Sequence, residues 1–153
     1  MYRQRMEYLR SGQPDGCFLC SDARTEDLEA NLVLHRDDTC LVVMNRFPYN
    51  TGHLLISPLR HVGALEELTE GERNLVMALT VKAIAALKEA MSPEGFNMGA
   101  NLGAPAGAGV PGHMHMHVVP RWSGDTNFMP VVGGAKVLPE TLEQTYGRLK
   151  HLF

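Results

Sequence analysis

Apolar residues recur every four positions at Leu75, Leu79, Ala83, Leu87 and Met91, the spacing that gathers side chains on one face of an α-helix. Thr69-Glu70-Gly71-Glu72 stands in front of them with the form of a capping box, a hydroxyl followed three residues later by a carboxylate. The helix is therefore predicted to begin after Thr69 and to end near Ser92-Pro93. Upstream the period changes. Asn31 to Arg36 and Thr39 to Asn45 are short apolar runs separated by Asp37-Asp38, which predicts a hairpin, and His53 to Ser57 predicts a third strand after a break holding Pro48 and Asn50. Downstream, Phe96 to Leu102 and His113 to Val119 predict two more strands on either side of a Gly-Ala-Pro-Val loop at Gly103 to Gly112. A short helix at Met1 to Arg10, a loop at Ser11 to Asp22, an irregular stretch from Arg121 to Gly134 and a closing helix at Glu140 to Leu152 complete the expectation. The order β-β-β-α-β-β leaves consecutive strands without helices between them, which favours antiparallel pairing. The expected fold is α+β, an antiparallel sheet of about five strands with one long helix and a C-terminal helix.

With 153 residues, 44% of them apolar, the chain is expected to form a single domain, residues 1–153, with its own core. Lys and Arg number 14 against 17 Asp and Glu, and no block of like charge occurs, which argues against a nucleic-acid polymer or an electrostatically held membrane as partner. Neither a signal peptide nor a membrane-length apolar run is visible, so a cytoplasmic location is expected. Three cysteines, two of them in Cys17-Phe18-Leu19-Cys20, do not make a secreted disulfide framework; the pair suits a metal, a redox dithiol or two buried thiols.

The chemistry concentrates in His113-Met114-His115-Met116-His117. In a strand of period two, all three imidazoles would face one side. Neutral imidazole attacks phosphorus, moves protons near neutral pH and binds metals, so such a row implies a reaction centre, covalent or metal-based.

Asn45-Arg46-Phe47-Pro48, Thr51-Gly52-His53-Leu54-Leu55-Ile56-Ser57-Pro58, Asn101-Leu102-Gly103 and the run from His113 to Pro120 together resemble the histidine triad family of nucleotide hydrolases and transferases. The resemblance covers roughly residues 15 to 130, leaving 131–153 as a C-terminal extension. Pro120-Arg121-Trp122-Ser123-Gly124-Asp125 and Lys136-Val137-Leu138-Pro139 are similar to the branch that cleaves dinucleoside polyphosphates, which includes diadenosine tetraphosphate phosphorylases. The resemblance implies His115 as nucleophile, bare at a pocket mouth and forming a nucleotidyl-histidine, with His117 and His53 beside it and no catalytic cofactor. It implies Asn45 on the ribose, Val43 and Leu55 around the base, and Asn101 and Gly109 on phosphate. Family members often carry a hydroxyl residue shortly before the triad; Gly103 to Gly112 has neither Ser nor Thr, and Gly109 occupies that place.

The resemblance also implies a structural Zn²⁺ held by Cys17, Cys20, His61 and His113, and a homodimer. The same site residues are open to two further readings, a purine nucleoside phosphoramidase and a nucleotide-binding sensor without turnover.

Overall fold

A computed structural model describes residues 16–126, 132 and 138–153. The expected helix at Met1 to Arg10, and most of the stretch from residue 127 to 137, lie outside the described residues. The three runs ahead of the long helix form β1 (Val33–Arg36), β2 (Cys40–Met44) and β3 (Leu54–Pro58), and the two after it form β4 (Gly95–Gly99) and β5 (Met116–Arg121). All pair antiparallel in one five-stranded sheet of order β1-β2-β3-β5-β4.

Two helices described after β3, with one before β1, flank this sheet. The long helix, Glu70–Met91, starts at the expected capping box: Thr69 Oγ1 accepts from the Glu72 N–H at 3.2 Å, and the Glu72 carboxylate accepts from the Thr69 N–H at 2.7 Å. It ends where Ser92 turns left-handed at φ 49° and Pro93 cannot continue the ladder. Its stripe of Val76, Leu79, Ala83 and Leu87 packs on Val42, Met44, Leu54, Ile56 and Val118 of the sheet. Each leucine buried there contributes roughly 1.5–3 kcal/mol. The C-terminal helix, Leu142–Leu149, opens with a second capping box between Thr141 and Gln144 and adds Tyr146 and Leu149 to the same core. Tyr146 reaches across to donate its hydroxyl proton to the Val33 carbonyl at 3.1 Å.

The other face of the sheet is also covered. Val33, Leu41, Val43 and Leu55 pack with Leu19 in a second apolar cluster, so β2 and β3 are buried along their whole length. Burial on both faces is why these strands read as unbroken apolar runs rather than alternating ones.

We number the helices α1 (Phe18–Arg24), α2 (Glu70–Met91) and α3 (Leu142–Leu149). α1 corrects the expected loop over Ser11 to Asp22. Leu19 is fully buried, and a helical turn is what brings Cys17 and Cys20, three residues apart, to one side. A second correction concerns β5, which begins at Met116 rather than His113. Its partner β3 ends at Pro58, which has no N–H to donate, and Met114 instead donates its N–H to the Val62 carbonyl at 2.7 Å.

Candidate functional site

Strand register assembles the site on the face opposite α2. Val43 pairs with Leu55 and Leu55 with His117, so the three stand in one row across β2, β3 and β5. Side chains two residues apart share a face, which adds His53 beside Leu55 and Asn45 beside Val43. The Asn45 N–H donates to the His53 carbonyl at 2.9 Å, holding those two ends together. Gly52 allows the approach: at φ 78° it takes a left-handed turn, and a Cβ there would lie 2.9 Å from Leu87 Cδ2 and Met91 Sδ.

The histidine tautomers follow from their partners. The Tyr49 N–H donates to His53 Nδ1 at 3.0 Å, so a neutral His53 carries its proton on Nε2, and that nitrogen lies 2.8 Å from His117 Nδ1. A neutral His117 then keeps its proton on Nε2. His115 Nδ1 lies 2.8 Å from the carbonyl oxygen of His113, which can only accept, so Nδ1 is the protonated nitrogen and Nε2 keeps its lone pair. Burial lowers the proton affinity of His115, which favours the neutral ring. The His115 and His117 rings sit edge to face, 4.9 Å between centroids.

An open cleft brings together Asn45, Leu55, Asn101, Gly109, His115 and His117 from the sequence expectation. His115 is on its wall but only 6% exposed, so the ring is set into the cleft and not bare at its mouth. His53 is 1% exposed and sits behind His117. Val43 lies beside Leu55 on the neighbouring strand, in the second apolar cluster, and is not among the residues lining the cleft. Aromatic walls that sequence reasoning missed are Phe18, Phe47 and Tyr49. Tyr49 stacks on His117 with centroids 5.7 Å apart and planes 16° apart, and its ring centroid is 4.5 Å from that of His53. Phe47 and Tyr49 flank Pro48 within the predicted break, so an aromatic pair just after Asn45 was the available signal.

The turn before His53 is anchored from the other end of the chain. Asn50 donates its side-chain amide to the Pro120 carbonyl at 3.1 Å and to the Asp125 carboxylate at 2.8 Å. Arg121 grips both oxygens of Asp125 at 2.7 Å and holds that carboxyl far below the usual range.

His113 turns away from the cleft. Its Nε2 donates to the Pro58 carbonyl at 2.8 Å, which leaves Nδ1 as the lone-pair nitrogen, 3.2 Å from Cys17 Sγ and 3.4 Å from Cys20 Sγ. His61 Nδ1 is 3.3 Å from Cys20 Sγ, and all four ligand atoms lie within 4.8 Å of one another. Zinc at about 2.3 Å from sulfur and about 2.0–2.1 Å from nitrogen spaces such ligands about 3.5 Å apart in a tetrahedron. The donor set and its spacing fit a metal, with the Pro58 carbonyl orienting the buried imidazole from behind. Among the described residues this is the one Cys, His and carboxylate group with metal-binding spacing, and His115 and His117 are outside it.

A family model described as the HIT domain matches residues 27–124. The chain belongs to the HIT domain family. A HIT relative from Mycobacterium tuberculosis strain H37Rv, named AP-4-A phosphorylase, is 48% identical over 117 residues, which are 76% of this chain and 60% of that protein. An asymmetrical bis(5'-nucleosyl)-tetraphosphatase of Schizosaccharomyces pombe is 31% identical over 93 residues, 61% of this chain and 50% of that one. The chain thus matches little more than half the length of these curated relatives. Among solved structures, a Zn-bound histidine triad family protein from Mycobacterium smegmatis superposes with a TM-score of 0.70 at 22% identity, covering 90% of this chain and 92% of that one. That likeness is one of fold: the HIT sheet with its long helix.

Proposed function

We propose that this HIT protein cleaves dinucleoside polyphosphates, diadenosine tetraphosphate foremost, through a nucleotidyl-histidine on His115. The observation that carries the reading is the His115 bond to the His113 carbonyl, which commits Nδ1 as donor and keeps the Nε2 lone pair for chemistry on the cleft wall. Nε2 forms a bond to the α-phosphorus, and the P–O bond to the rest of the polyphosphate breaks with its electron pair leaving on that oxygen. The ring becomes cationic, and the His113 carbonyl stabilises it by accepting the Nδ1–H. His117 donates to a phosphate oxygen, oriented by His53 behind it. In the second half, the oxygen of water or of inorganic phosphate attacks phosphorus, the P–N bond breaks, and the lone pair returns to Nε2.

Asn45 holds ribose hydroxyls, Leu55 faces the base with Val43 packed beside it on β2, and Asn101 and Gly109 take phosphate. The cleft positions of all these except Val43 support the assignment, as does 48% identity to the AP-4-A phosphorylase over the shared region. Cys17, Cys20, His61 and His113 hold Zn²⁺; four protein ligands close the site, so the ion supplies structural cross-linking. Residues 1–153 form one domain, supported by α3 contributing Tyr146 and Leu149 to the α2 core. Two copies pair through α2 and β4, supported by the exposure of Met77 (48%), Val81 (62%) and Met98 (48%). The working compartment is the cytoplasm, and no described helix is long and apolar enough to cross a membrane.

The test is incubation with diadenosine tetraphosphate, with and without inorganic phosphate, and chromatography of the products. ADP plus ATP that depends on phosphate establishes phosphorolysis, and AMP plus ATP establishes hydrolysis; two ADP would require cleavage between the β-phosphates and would overturn attack at the α-phosphorus. His115→Ala should abolish turnover and still bind AMP. Cleavage of adenosine phosphoramidate alone would replace this reading with a phosphoramidase, and AMP binding without turnover of either substrate would replace it with a sensor.

A further inference from the structure

The four side chains of Cys17-Phe18-Leu19-Cys20 have separate destinations. Cys17 and Cys20 converge on His113 and His61, Leu19 fills the second apolar cluster, and Phe18 both packs against that cluster and lines the cleft. A single turn of α1 therefore belongs at once to the metal group and to the cleft wall. α1 has seven residues, and its N-cap, Cys17, makes no side-chain capping bond. A helix that short is not stable alone, so its placement depends on tertiary ties. At its C-terminal half, buried Asp22 accepts from Arg46 at 3.0 Å, next in sequence to Asn45. At its N-terminal end, where Phe18 sits, the ties are Leu19 and the thiols.

We propose that metal occupancy of the Cys17, Cys20, His61 and His113 group sets nucleotide affinity, and that Phe18 is the residue that transmits it. This rests on the nucleotide reading of the cleft. With the thiols held, Phe18 is fixed as a wall beside Leu55, and an aromatic ring fixed in advance binds a planar base without first losing its rotamer freedom. With the thiols released, buried Leu19 and Asp22 keep α1 in place, but Cys17 and Phe18 at its start lose their anchor, and the wall is no longer fixed. Linkage makes the effect reciprocal: nucleotide must tighten metal binding by the factor by which metal tightens nucleotide binding.

The experiment is calorimetric titration of AMP into zinc-loaded and chelator-stripped full-length protein, for the wild type and for Phe18→Ala. Stripping should weaken AMP binding by about tenfold in the wild type and leave it nearly unchanged in Phe18→Ala, whose zinc-loaded affinity already resembles that of the stripped wild type. Equal AMP affinity for loaded and stripped wild type would overturn the proposal, as would a full-sized metal effect persisting in Phe18→Ala, which would route the coupling through His113 to His115 instead. Should stripping unfold the protein, zinc transfer to a chromophoric chelator decides on the loaded forms. Saturating AMP should slow transfer in the wild type and not in Phe18→Ala, and equal slowing in both rejects Phe18 as transmitter. Absence of AMP binding by loaded wild type would overturn the nucleotide reading together with this one, whereas metal-independent binding overturns this one alone.

Discussion

His53 Nε2 lies 2.8 Å from His117 Nδ1, and the nitrogen on the far side of the His53 ring accepts the backbone N–H of Tyr49. A main-chain donor thus sets the proton positions of two imidazoles in series, and the second lines the cleft. In the proposed mechanism His53 acts on His117 and not on substrate. His53→Ala should lower kcat by about 100-fold with a much smaller change in KM, while His53→Gln, whose amide can still donate, should retain more of the rate. Steady-state kinetics on diadenosine tetraphosphate check this; a wild-type kcat in His53→Ala would show that His117 needs no orientation.

Metal removal should act first on stability. The proposed zinc cross-links α1 to the segments carrying His61 and His113, so stripping it should lower Tm by about 5–10 °C. Purified protein should carry about one zinc per chain, and Cys20→Ser should lower that content and Tm together. Calorimetry with elemental analysis tests this, and a Tm indifferent to chelator would remove the ion from the structure.

Gly52→Ala should destabilise the fold by about 1–3 kcal/mol, because φ 78° disfavours any Cβ and the added atom meets Leu87 and Met91 of α2. Turnover should fall with it, since His53 follows directly. Denaturant unfolding gives the energy. A stability equal to wild type would mean that the turn relaxes without cost.

Glu72 should make stability fall in acid. Arg60 donates twice to its carboxylate, at 2.9 and 2.8 Å, and holds its pKa down to about 2. An unfolded glutamate takes its proton near 4.3, so the unfolded chain binds that proton more readily; the stabilisation is complete above about pH 4.3 and lost as pH falls through about 2. Glu72→Gln keeps an acceptor for the Thr69 cap and removes the charge. Its Tm should lie below wild type at pH 7 and converge with it near pH 2; a constant gap across that range would assign the effect to the cap instead.

The strand and helix order was legible because its signals are local. A Thr-x-x-Glu cap, a four-residue apolar spacing and a hairpin between Asp-flanked apolar runs each depend on neighbours within a few residues, and the five strands and both later helices formed within a few positions of where they were expected. The cysteine segment was not legible as a helix. Gly12, Pro14 and Gly16 dominate its composition, and what makes residues 18–24 helical is the burial of Leu19 and the Asp22 ion pair with Arg46, both long-range. Phe18 as a cleft wall escaped for the same reason, since nothing in the sequence around it says which of several apolar partners it will face.

By itself, the sequence determined which chemistries were available: alternating histidines, a Gly-His turn, a cysteine pair and glycine-rich backbone, each carried by covalent identity and spacing. The tertiary structure alone decided their division of labour. His113 joins two sulfurs, one of them 96 residues away, because Pro58 ends its ladder and then accepts its Nε2–H, while His115 and His117, one turn of the pleat further on, fall to the cleft. Spacing along a strand places side chains on a face, but only the segments that fold against that face determine what each side chain meets.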